Sequence, residues 1–439
     1  MNVAIVGAGY VGLATGACLA DTGHRVTVID IDRRKIDQLN RGIPPIYEPG
    51  LEELLHRHLG RRLFFTTGTG EGVRGAEVIF LAVGTPPLPD GRADLSHLEA
   101  AARDVARHLE PEAVVAVKST VPVGTNDRLA DLIGRHVRPG VTFHMASNPE
   151  FLREGTAIRD VFRPDRIVIG TRSSRAADVL TRLHAPFGAP VVLTDPKSAE
   201  LIKYASNAFL TVKISFINEI ANLCDKLGAN IDDVAHGMGL DPRIGPHFLR
   251  AGIGYGGSCF PKDTRALVQL AGHVEHDFRL LKAVIEVNNR QQQVLVHKAK
   301  AYFGSLRGLR AAVLGLAFKP GTDDVREAAS LVVVRQLLAE GAEVAVYDPV
   351  AMPNARRLLD GAVRYGASLA DAVAGADAVF IVTEWAEFVD ADWAALKERL
   401  SRPVIFDGRN CLDPQQLGAL GYDYVAVGRP AIVRKGAEA

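Results

Sequence analysis

Cys259 stands at the end of the glycine-rich segment Gly252-Ile253-Gly254-Tyr255-Gly256-Gly257-Ser258-Cys259-Phe260-Pro261-Lys262-Asp263. Glycines at this density weaken any helix or strand interior, yet they let backbone lie close to a ligand. Lys262 is a cationic neighbour, and such a neighbour lowers a thiol pKa and raises its thiolate fraction. Cys259 therefore reads either as a nucleophile or as a small buried side chain, and the segment alone leaves both open. Cys18, Cys224 and Cys411 read as buried side chains. No Cys-x-x-Cys pair occurs, so no metal site is expected.

A second constellation lies near the start. Gly7-Ala8-Gly9-Tyr10-Val11-Gly12 follows the strand-like Val3-Ala4-Ile5-Val6, opens a helical pattern, and precedes a strand ending in Asp30. That is the context a dinucleotide fingerprint requires. Gly7 allows the tight turn, Gly9 lets backbone approach a pyrophosphate, and Gly12 permits close helix–strand packing. The helix N-terminus offers amides and partial positive charge to phosphates. Asp30 suits the ribose hydroxyls and repels a 2′-phosphate, favouring NAD, although Arg33, Arg34 and Lys35 could suit NADP. Val83-Gly84-Thr85-Pro86 and Lys118-Ser119-Thr120-Val121 end later strands, where ligands of open α/β sheets sit. Ordinary turn chemistry explains them equally well. Lys203 and Asn207, four apart, share a helix face that spacing alone makes a solvated one. Asn148-Pro149-Glu150-Phe151-Leu152-Arg153-Glu154 reads, unaided, as a surface loop.

These residues must be positioned by alternating strands and helices. Strands are expected at Val3–Val6, Arg25–Ile29, Glu77–Ala82, Ala113–Val117 and Val141–Met145, with runs that suggest a parallel sheet. From Asp195-Pro196 to Leu227 nothing breaks a helix, and Gly228 suits its end. This is long enough for a spine between domains, and a second helical stretch spans about 277–302. The βαβ pattern restarts near Leu309, with strands at Ala311–Leu314, Glu343–Tyr347, Ala378–Val382 and Val404–Phe406 and a helix at Ser330–Glu340. The C-terminal residues 434–439 read as a loose tail.

Composition bounds the function class. The 439 residues are 47% hydrophobic and 23% charged, with 51 basic against 51 acidic residues. Such a balance supports large cores and gives no bulk attraction to nucleic acid or an anionic membrane. No apolar run approaches bilayer length, the N-terminus lacks signal-peptide character, and few cysteines suit a reducing compartment, so a cytoplasmic enzyme is expected.

Taken together and in order, these segments and Phe318-Lys319-Pro320-Gly321-Thr322-Asp323-Asp324-Val325-Arg326-Glu327 make the chain similar to the UDP-glucose/GDP-mannose dehydrogenase family over nearly its whole length. The most specific match is the run from Gly254 to Asp263. The resemblance implies two Rossmann-like doubly wound domains joined by a long helix and a small all-α central domain. The expected boundaries are 1–195 for NAD, 196–304 for the spine and cysteine loop, and 305–439 for the UDP-sugar. It also implies a homodimer formed through the central helices. GDP-mannose members tend to carry other residues at the positions of Tyr255 and Phe260. Members acting on N-acetylated UDP-sugars usually have His where this chain has Ser258. UDP-glucose is therefore the expected substrate, with those other sugar nucleotides as alternatives. Ala329 stands where many bacterial members have Pro.

The same resemblance gives Cys259 the nucleophile role and Lys203, Asn207, Asp263, Thr120 and Glu150 supporting roles. It assigns Gly7, Gly9, Tyr10, Val11, Gly12, Asp30, Lys35, Thr85, Thr120, Glu154, Lys262 and Arg326 to NAD. Sugar-nucleotide positions fall at Glu150, Phe151, Leu152, Arg153, Glu154, Lys203, Asn207, Arg243, Arg250, Ile253, Tyr255, Gly256, Phe318, Lys319 and Arg409. The implied chemistry is a four-electron oxidation of a primary alcohol through a cysteine thiohemiacetal and thioester. Lys203 or an Asp263-bound water would accept the first proton, Lys203 and Asn207 would stabilise oxyanions, and Glu150 would activate the hydrolytic water. A two-electron hydroxyacid dehydrogenase shares the layout but needs no cysteine. A silent nucleotide-binding protein needs none of Cys259, Lys203 and Asp263. The second βαβ region has Gly315 but no G-x-G-x-x-G, which argues against a second dinucleotide, with Lys319 and Arg409 as candidate charges for a uridine diphosphate.

Overall fold

Aliphatic runs without polar alternation fold as parallel strands covered on both faces. In the computed structural model, which describes residues 1–434, they form two sheets in two separate units. Residues 435–439, most of the expected tail, lie outside the described residues. One unit comprises residues 1–206 and 265–276, the other 207–264 and the chain from 277 onward.

The first unit holds strands β1 (Asn2–Val6), β2 (Arg25–Ile29), β3 (Leu63–Thr66), β4 (Val78–Leu81), β5 (Ala113–Val117), β6 (Phe143–Ser147), β7 (Ile167–Gly170) and β8 (Val191–Thr194). Their order is β3-β2-β1-β4-β5-β6-β7-β8, parallel except where β7 meets β6. Order reverses between β1 and β4, the switch point at which ligands of such sheets bind. The period of two divides each strand between cores: Val3 and Ile5 pack into one apolar cluster, Ala4 and Val6 into the other. β6 starts two residues later than the apolar run suggests, because Val141 closes a turn onto Arg138 (N–H to carbonyl, 3.2 Å).

The second unit holds β9 (Arg310–Leu314), β10 (Glu343–Tyr347), β11 (Arg364–Tyr365), β12 (Ala378–Ile381), β13 (Val404–Asp407) and β14 (Asp423–Ala426), in the all-parallel order β11-β10-β9-β12-β13-β14. Two Rossmann-like sheets are thus present, as the sequence implies.

The spine helix runs Pro196–Leu227. Asp195 Oδ1 accepts from the Ser198 N–H (3.0 Å), capping its start, and the Gly228 N–H returns to the Cys224 carbonyl (2.9 Å) at its end. One face buries Glu200, Lys203, Asn207, Thr211, Ser215 and Asn218 at helical spacing. That stripe corrects the reading of Lys203 and Asn207 as a solvated face. On another face Phe209 (63% exposed), Phe216 (49%), Leu223 (49%) and Leu227 (71%) stand in solvent. The helical stretch expected over 277–302 is two helices, Arg279–Gln291 and Val294–Phe303. The break falls where Gln291 and Gln292 turn their side-chain amides to the Gly252 and Tyr255 carbonyls (2.7 and 3.0 Å). No helix among the described residues is long and apolar enough to cross a membrane.

Candidate active site

Backbone contact explains the glycines of the first unit. A Cβ on Gly7 would lie 2.6 Å from the Ala82 carbonyl oxygen, and one on Gly12 only 1.8 Å from that of Gly7. Gly9 instead faces open space: beyond its chain neighbours, nothing lies within 4 Å of a Cβ built on it. It caps the helix Tyr10–Asp21, whose first turn carries no acidic side chain and no side-chain cap. Such a cradle has the shape and polarity a pyrophosphate requires. Asp30 closes it: Oδ2 accepts from the Ala8 N–H (2.8 Å) and Oδ1 from that of Asp32 (2.9 Å). Lys35 Nζ lies 3.9 Å from Asp30 Oδ2, so its charge is partly spent on that carboxylate. The donor set fits NAD, with Asp30 free to accept from ribose hydroxyls. Thr85 and Thr120 are tied together at the ends of β4 and β5, the Thr85 hydroxyl donating to the Thr120 carbonyl (2.9 Å). With Asp30 as the expected ribose acceptor, Asp30→Ala should weaken NAD binding about 10- to 100-fold and leave UDP-sugar binding intact. Calorimetric titration with each ligand checks this, and an equal loss of both would remove the assignment.

The loop read as surface is a buried corner. Glu150 Oε1 pairs with Lys203 Nζ at 3.1 Å, with side chains only 7% and 4% exposed, and its Oε2 accepts from the Leu152 N–H at 2.5 Å. Lys203 also lies over the Phe151 ring (5.4 Å), which the Arg166 guanidinium covers more closely (3.6 Å). Arg153 is bound by Asp160 through Nε (3.0 Å) and Nη2 (2.5 Å), and the Gly155 and Ala157 N–H groups donate to Glu48 (2.6 and 2.7 Å). Removing either partner of the Lys203–Glu150 pair would strand a buried charge, at a cost of about 3–5 kcal/mol.

Glu200, one helical turn before Lys203, fixes this end of the spine. Its carboxylate accepts from the Gly124 and Asn126 N–H groups (2.6 and 2.7 Å), at the start of the helix Thr125–His136. Burial nevertheless pushes its pKa up to about 7, against the pull of those two donors. The folded state therefore holds a proton more tightly than the unfolded one. The stabilisation this lends is complete below pH ~4.5 and lost as pH rises through ~7. Glu200→Gln should flatten that part of the stability–pH curve, measured by urea unfolding between pH 4.5 and 8. An unaltered slope would contradict the assignment.

The second unit holds the cysteine. Cys259 immediately precedes the helix Phe260–His273, whose N-terminus carries partial positive charge. Within the first turn Asp263, only 1% exposed, accepts from Asn207 Nδ2 (2.6 Å) and pairs with Lys262 Nζ (2.7 Å). Asn207 lies one turn after Lys203 on the spine, so one helix carries both side chains. The glycine loop before Cys259 is gripped by amides. Asn288 Oδ1 accepts from the Tyr255 N–H (2.8 Å) while its Nδ2 donates to the Tyr255 carbonyl (3.1 Å). Gly252 donates to Asn218 Oδ1 (2.9 Å). Ile253, within the loop, is fully buried, its N–H bonded to the Gly408 carbonyl (2.9 Å). The segment Phe318–Glu327 presses on the loop: a Cβ on Gly256 would lie 2.1 Å from the Glu327 carbonyl oxygen, and one on Gly257 2.6 Å from the Phe318 ring.

Arg409 acts as a strut, donating to the carbonyls of Val382 (2.7 Å), Gly254 (3.0 Å) and Phe318 (3.2 Å). Lys319 stands over the Phe318 ring (5.5 Å). Arg326 is forked onto Asp324, and Arg250 reaches the Asn410 carbonyl at 3.5 Å. Arg243 is not gathered in: its side chain is 87% exposed and bound to Asp241. Of the other cysteines, Cys18 and Cys224 are buried as expected, whereas Cys411 is half-buried and its thiol is pushed up by burial and by Asp407.

Comparison of the two Rossmann-like units explains the single dinucleotide cradle. Asp348, at the end of β10, sits where Asp30 sits after β2. It is buried and accepts five hydrogen bonds, from the N–H groups of Leu316, Ala317, Val350 and Ala351 and from Trp385 Nε1. Ala317 takes the place of Gly9. Both oxygens of Asp348 are taken by these donors, and at the place of Gly9 the loop carries Ala317 instead of an open glycine. Sequence reasoning missed Asp348, Glu200, Asn218, Asn288 and Gln291, all polar residues whose burial no local pattern announces.

Residues 1–188 match the model of the UDP-glucose/GDP-mannose dehydrogenase family NAD binding domain, 197–290 its central domain and 312–414 its UDP binding domain. The chain is 53% identical to the UDP-glucose 6-dehydrogenase YwqF of Bacillus subtilis over 438 residues, 100% of both chains. It is 47% identical to the UDP-glucose 6-dehydrogenase of Rhizobium meliloti, over 98% of this chain and 100% of that one. Among solved structures, a UDP-glucose dehydrogenase from Pyrobaculum islandicum superposes with a TM-score of 0.91 at 42% identity, covering 98% of each chain. A UDP-D-ManNAc dehydrogenase from Pyrococcus horikoshii gives 0.85 at 32% identity, covering 98% and 99%. With one open dinucleotide cradle, one cysteine at a helix start and likeness over its full length, the chain belongs to the UDP-glucose/GDP-mannose dehydrogenase family.

Proposed function

We propose that the protein oxidises the C6 alcohol of UDP-glucose to the carboxylate of UDP-glucuronate, consuming two NAD and one water. The observation that carries this reading is Cys259 at the start of a helix whose first turn holds the Asn207–Asp263–Lys262 cluster. An alcohol-level dehydrogenase has no use for a thiol there. Bound NAD supplies the hydride acceptor for both oxidations. Lys203, or a water on Asp263, takes the hydroxyl proton as the alcohol becomes an aldehyde. Cys259 Sγ then adds to the aldehyde carbon, giving a thiohemiacetal from which a second hydride can leave. The resulting thioester is cleaved by water activated by Glu150, which frees the carboxylate and returns the thiol. Lys203 and Asn207 stabilise the oxyanions of these steps. The residue roles follow the family resemblance, and the buried Lys203–Glu150 and Asn207–Asp263 contacts support them.

Residues 1–195 serve in this reading as the NAD domain, 196–304 as the central helical domain and 305–439 as the UDP-sugar domain. The protein works in the cytoplasm as a homodimer, the exposed Phe209, Phe216, Leu223 and Leu227 forming part of the dimer face. Sedimentation of Phe216→Glu against the parent checks that assembly. The substrate is tested by assaying NADH formation with UDP-glucose, GDP-mannose and UDP-N-acetylmannosamine in parallel. Turnover with UDP-glucose at least ~100-fold above the others is expected. Preference for either rival would keep the chemistry and replace the substrate.

A further inference from the structure

Lys118 is a buried cation that the oxidation just proposed does not use. Its ammonium lies just beyond the end of β5, over the ring of Phe80 (5.2 Å), and donates to Asn148 Oδ1 (2.9 Å) and the Asn148 carbonyl (3.3 Å). Among the described residues no carboxylate lies within ion-pair distance of it. Asn148 is fixed in turn: its N–H donates to the Val117 carbonyl (2.8 Å) and its Nδ2 to that of Val168 (2.8 Å). Two residues further on, Glu150 meets Lys203 at 3.1 Å.

We propose that Lys118 is a positioning residue for the oxidation: from behind the Asn148 corner it holds Glu150 against Lys203 and, at neutral pH, adds a positive charge beside that pair. The assignment rests on the function proposed above for Lys203 and Glu150.

Three observations carry it. First, the hydrogen bonds from Lys118 end on the residue that sets the direction of the Asn148-Pro149-Glu150 turn. Second, the charge is costly where it stands, since burial lowers the ammonium pKa to about 8, and an apolar side chain over Phe80 would avoid that cost. Third, the charges that act on it are the Lys203–Glu150 pair itself, with opposite signs. His184, edge-on to Phe80 at 6.2 Å, is held neutral by burial, its pKa lowered to about 3. A fixed positive charge disfavours a second protonated ammonium nearby and favours an ionised carboxylate. Both effects keep the Lys203–Glu150 pair ready to accept protons at neutral pH, as a base must be.

Two variants of the full-length protein test this. Lys118→Met keeps the length and removes the charge. Asn148→Asp keeps Lys118 and sets a carboxylate beside it. The dependence of kcat on pH with UDP-glucose and NAD is measured for each, with the parent as control. In both, the acid limb should move to higher pH, giving about a 10-fold loss at pH 7 that shrinks to about 2-fold near pH 9.5. A loss equal at every pH, or an unchanged profile, would overturn the proposal. In parallel, 13Cε-lysine NMR follows the Lys203 resonance, assigned with Lys203→Arg. Its midpoint should rise in both variants, and an unmoved midpoint would overturn the coupling whatever the substrate. If Lys118→Met does not fold, Asn148→Asp decides alone. If the parent fails to oxidise UDP-glucose, the functional reading falls and the NMR titration still decides Lys118.

Discussion

Cys259→Ala is expected to form no UDP-glucuronate and to release at most one NADH per site. The first oxidation needs a base and a hydride acceptor, neither of which is the thiol. The aldehyde, once formed, has no hydroxyl-bearing carbon from which a second hydride can leave until a nucleophile adds to it, and in this reading Sγ is that nucleophile. The steady-state rate of acid formation should therefore fall by at least about 10⁴-fold, in line with removal of other covalent nucleophiles. The fold should not suffer. Cys259 is only part-buried, its carbonyl already accepts the Asp263 N–H (2.8 Å), and alanine leaves that bond intact. NAD affinity should be unchanged, because the cradle of Gly9 and Asp30 belongs to the other unit. Rapid-quench analysis of nucleotide products, beside an NAD titration, separates these outcomes. Full acid formation by the alanine variant would end the covalent route.

Gly256→Ala and Gly257→Ala should each lower kcat about 100-fold, for a reason of space. A methyl on Gly256 would meet the Glu327 carbonyl oxygen at 2.1 Å, and one on Gly257 the Phe318 ring at 2.6 Å. Real Cβ contacts are never so short, so the loop or its neighbour must shift. Neither can do so cheaply. Tyr255 is clamped at both N–H and carbonyl by Asn288, Gly257 donates to the Arg326 carbonyl (2.9 Å), and Glu327 already has a positive φ of 51°. Displacing the loop displaces Cys259, two or three residues on, and a misplacement of ~1 Å can cost about 100-fold in rate. UDP-sugar binding should weaken as well, while NAD binding stays. Stopped-flow turnover and separate titrations of the two ligands check both parts. Near-parental kcat in the Gly256 variant would show that the close approach is not needed.

What could be read from the sequence follows a physical rule. Gly7 and Gly12 are legible because backbone contacts at these distances exclude every other residue, whereas the glycines of the Cys259 loop read as room for a ligand and instead also make room for Phe318 and Glu327. The spine helix was legible to the residue, since Asp195, Pro196 and Gly228 are end signals with local mechanisms. The strands β3, β7, β8, β11 and β14 went unread. They are two to four residues long, too short for periodicity to mark them, and β8 lies half-exposed at the sheet edge. The break at Gln292-Gln293 carries no Gly or Pro, because its cause is a distant pair of carbonyls. The least legible part of the candidate site is its polar interior. Lys203, Glu150, Asn288 and Lys118 are of types that usually face water, and only tertiary packing makes them buried. The resemblance to a family, carried by the run Gly254 to Asp263, supplied roles for the first two and none for the others.

The central claim is that one site removes four electrons through a thioester. Purified protein given limiting UDP-glucose and excess NAD should form two NADH per sugar nucleotide consumed, with an acidic product. One NADH per sugar, with the reaction ending at the aldehyde, would contradict the thioester mechanism and leave an alcohol dehydrogenase.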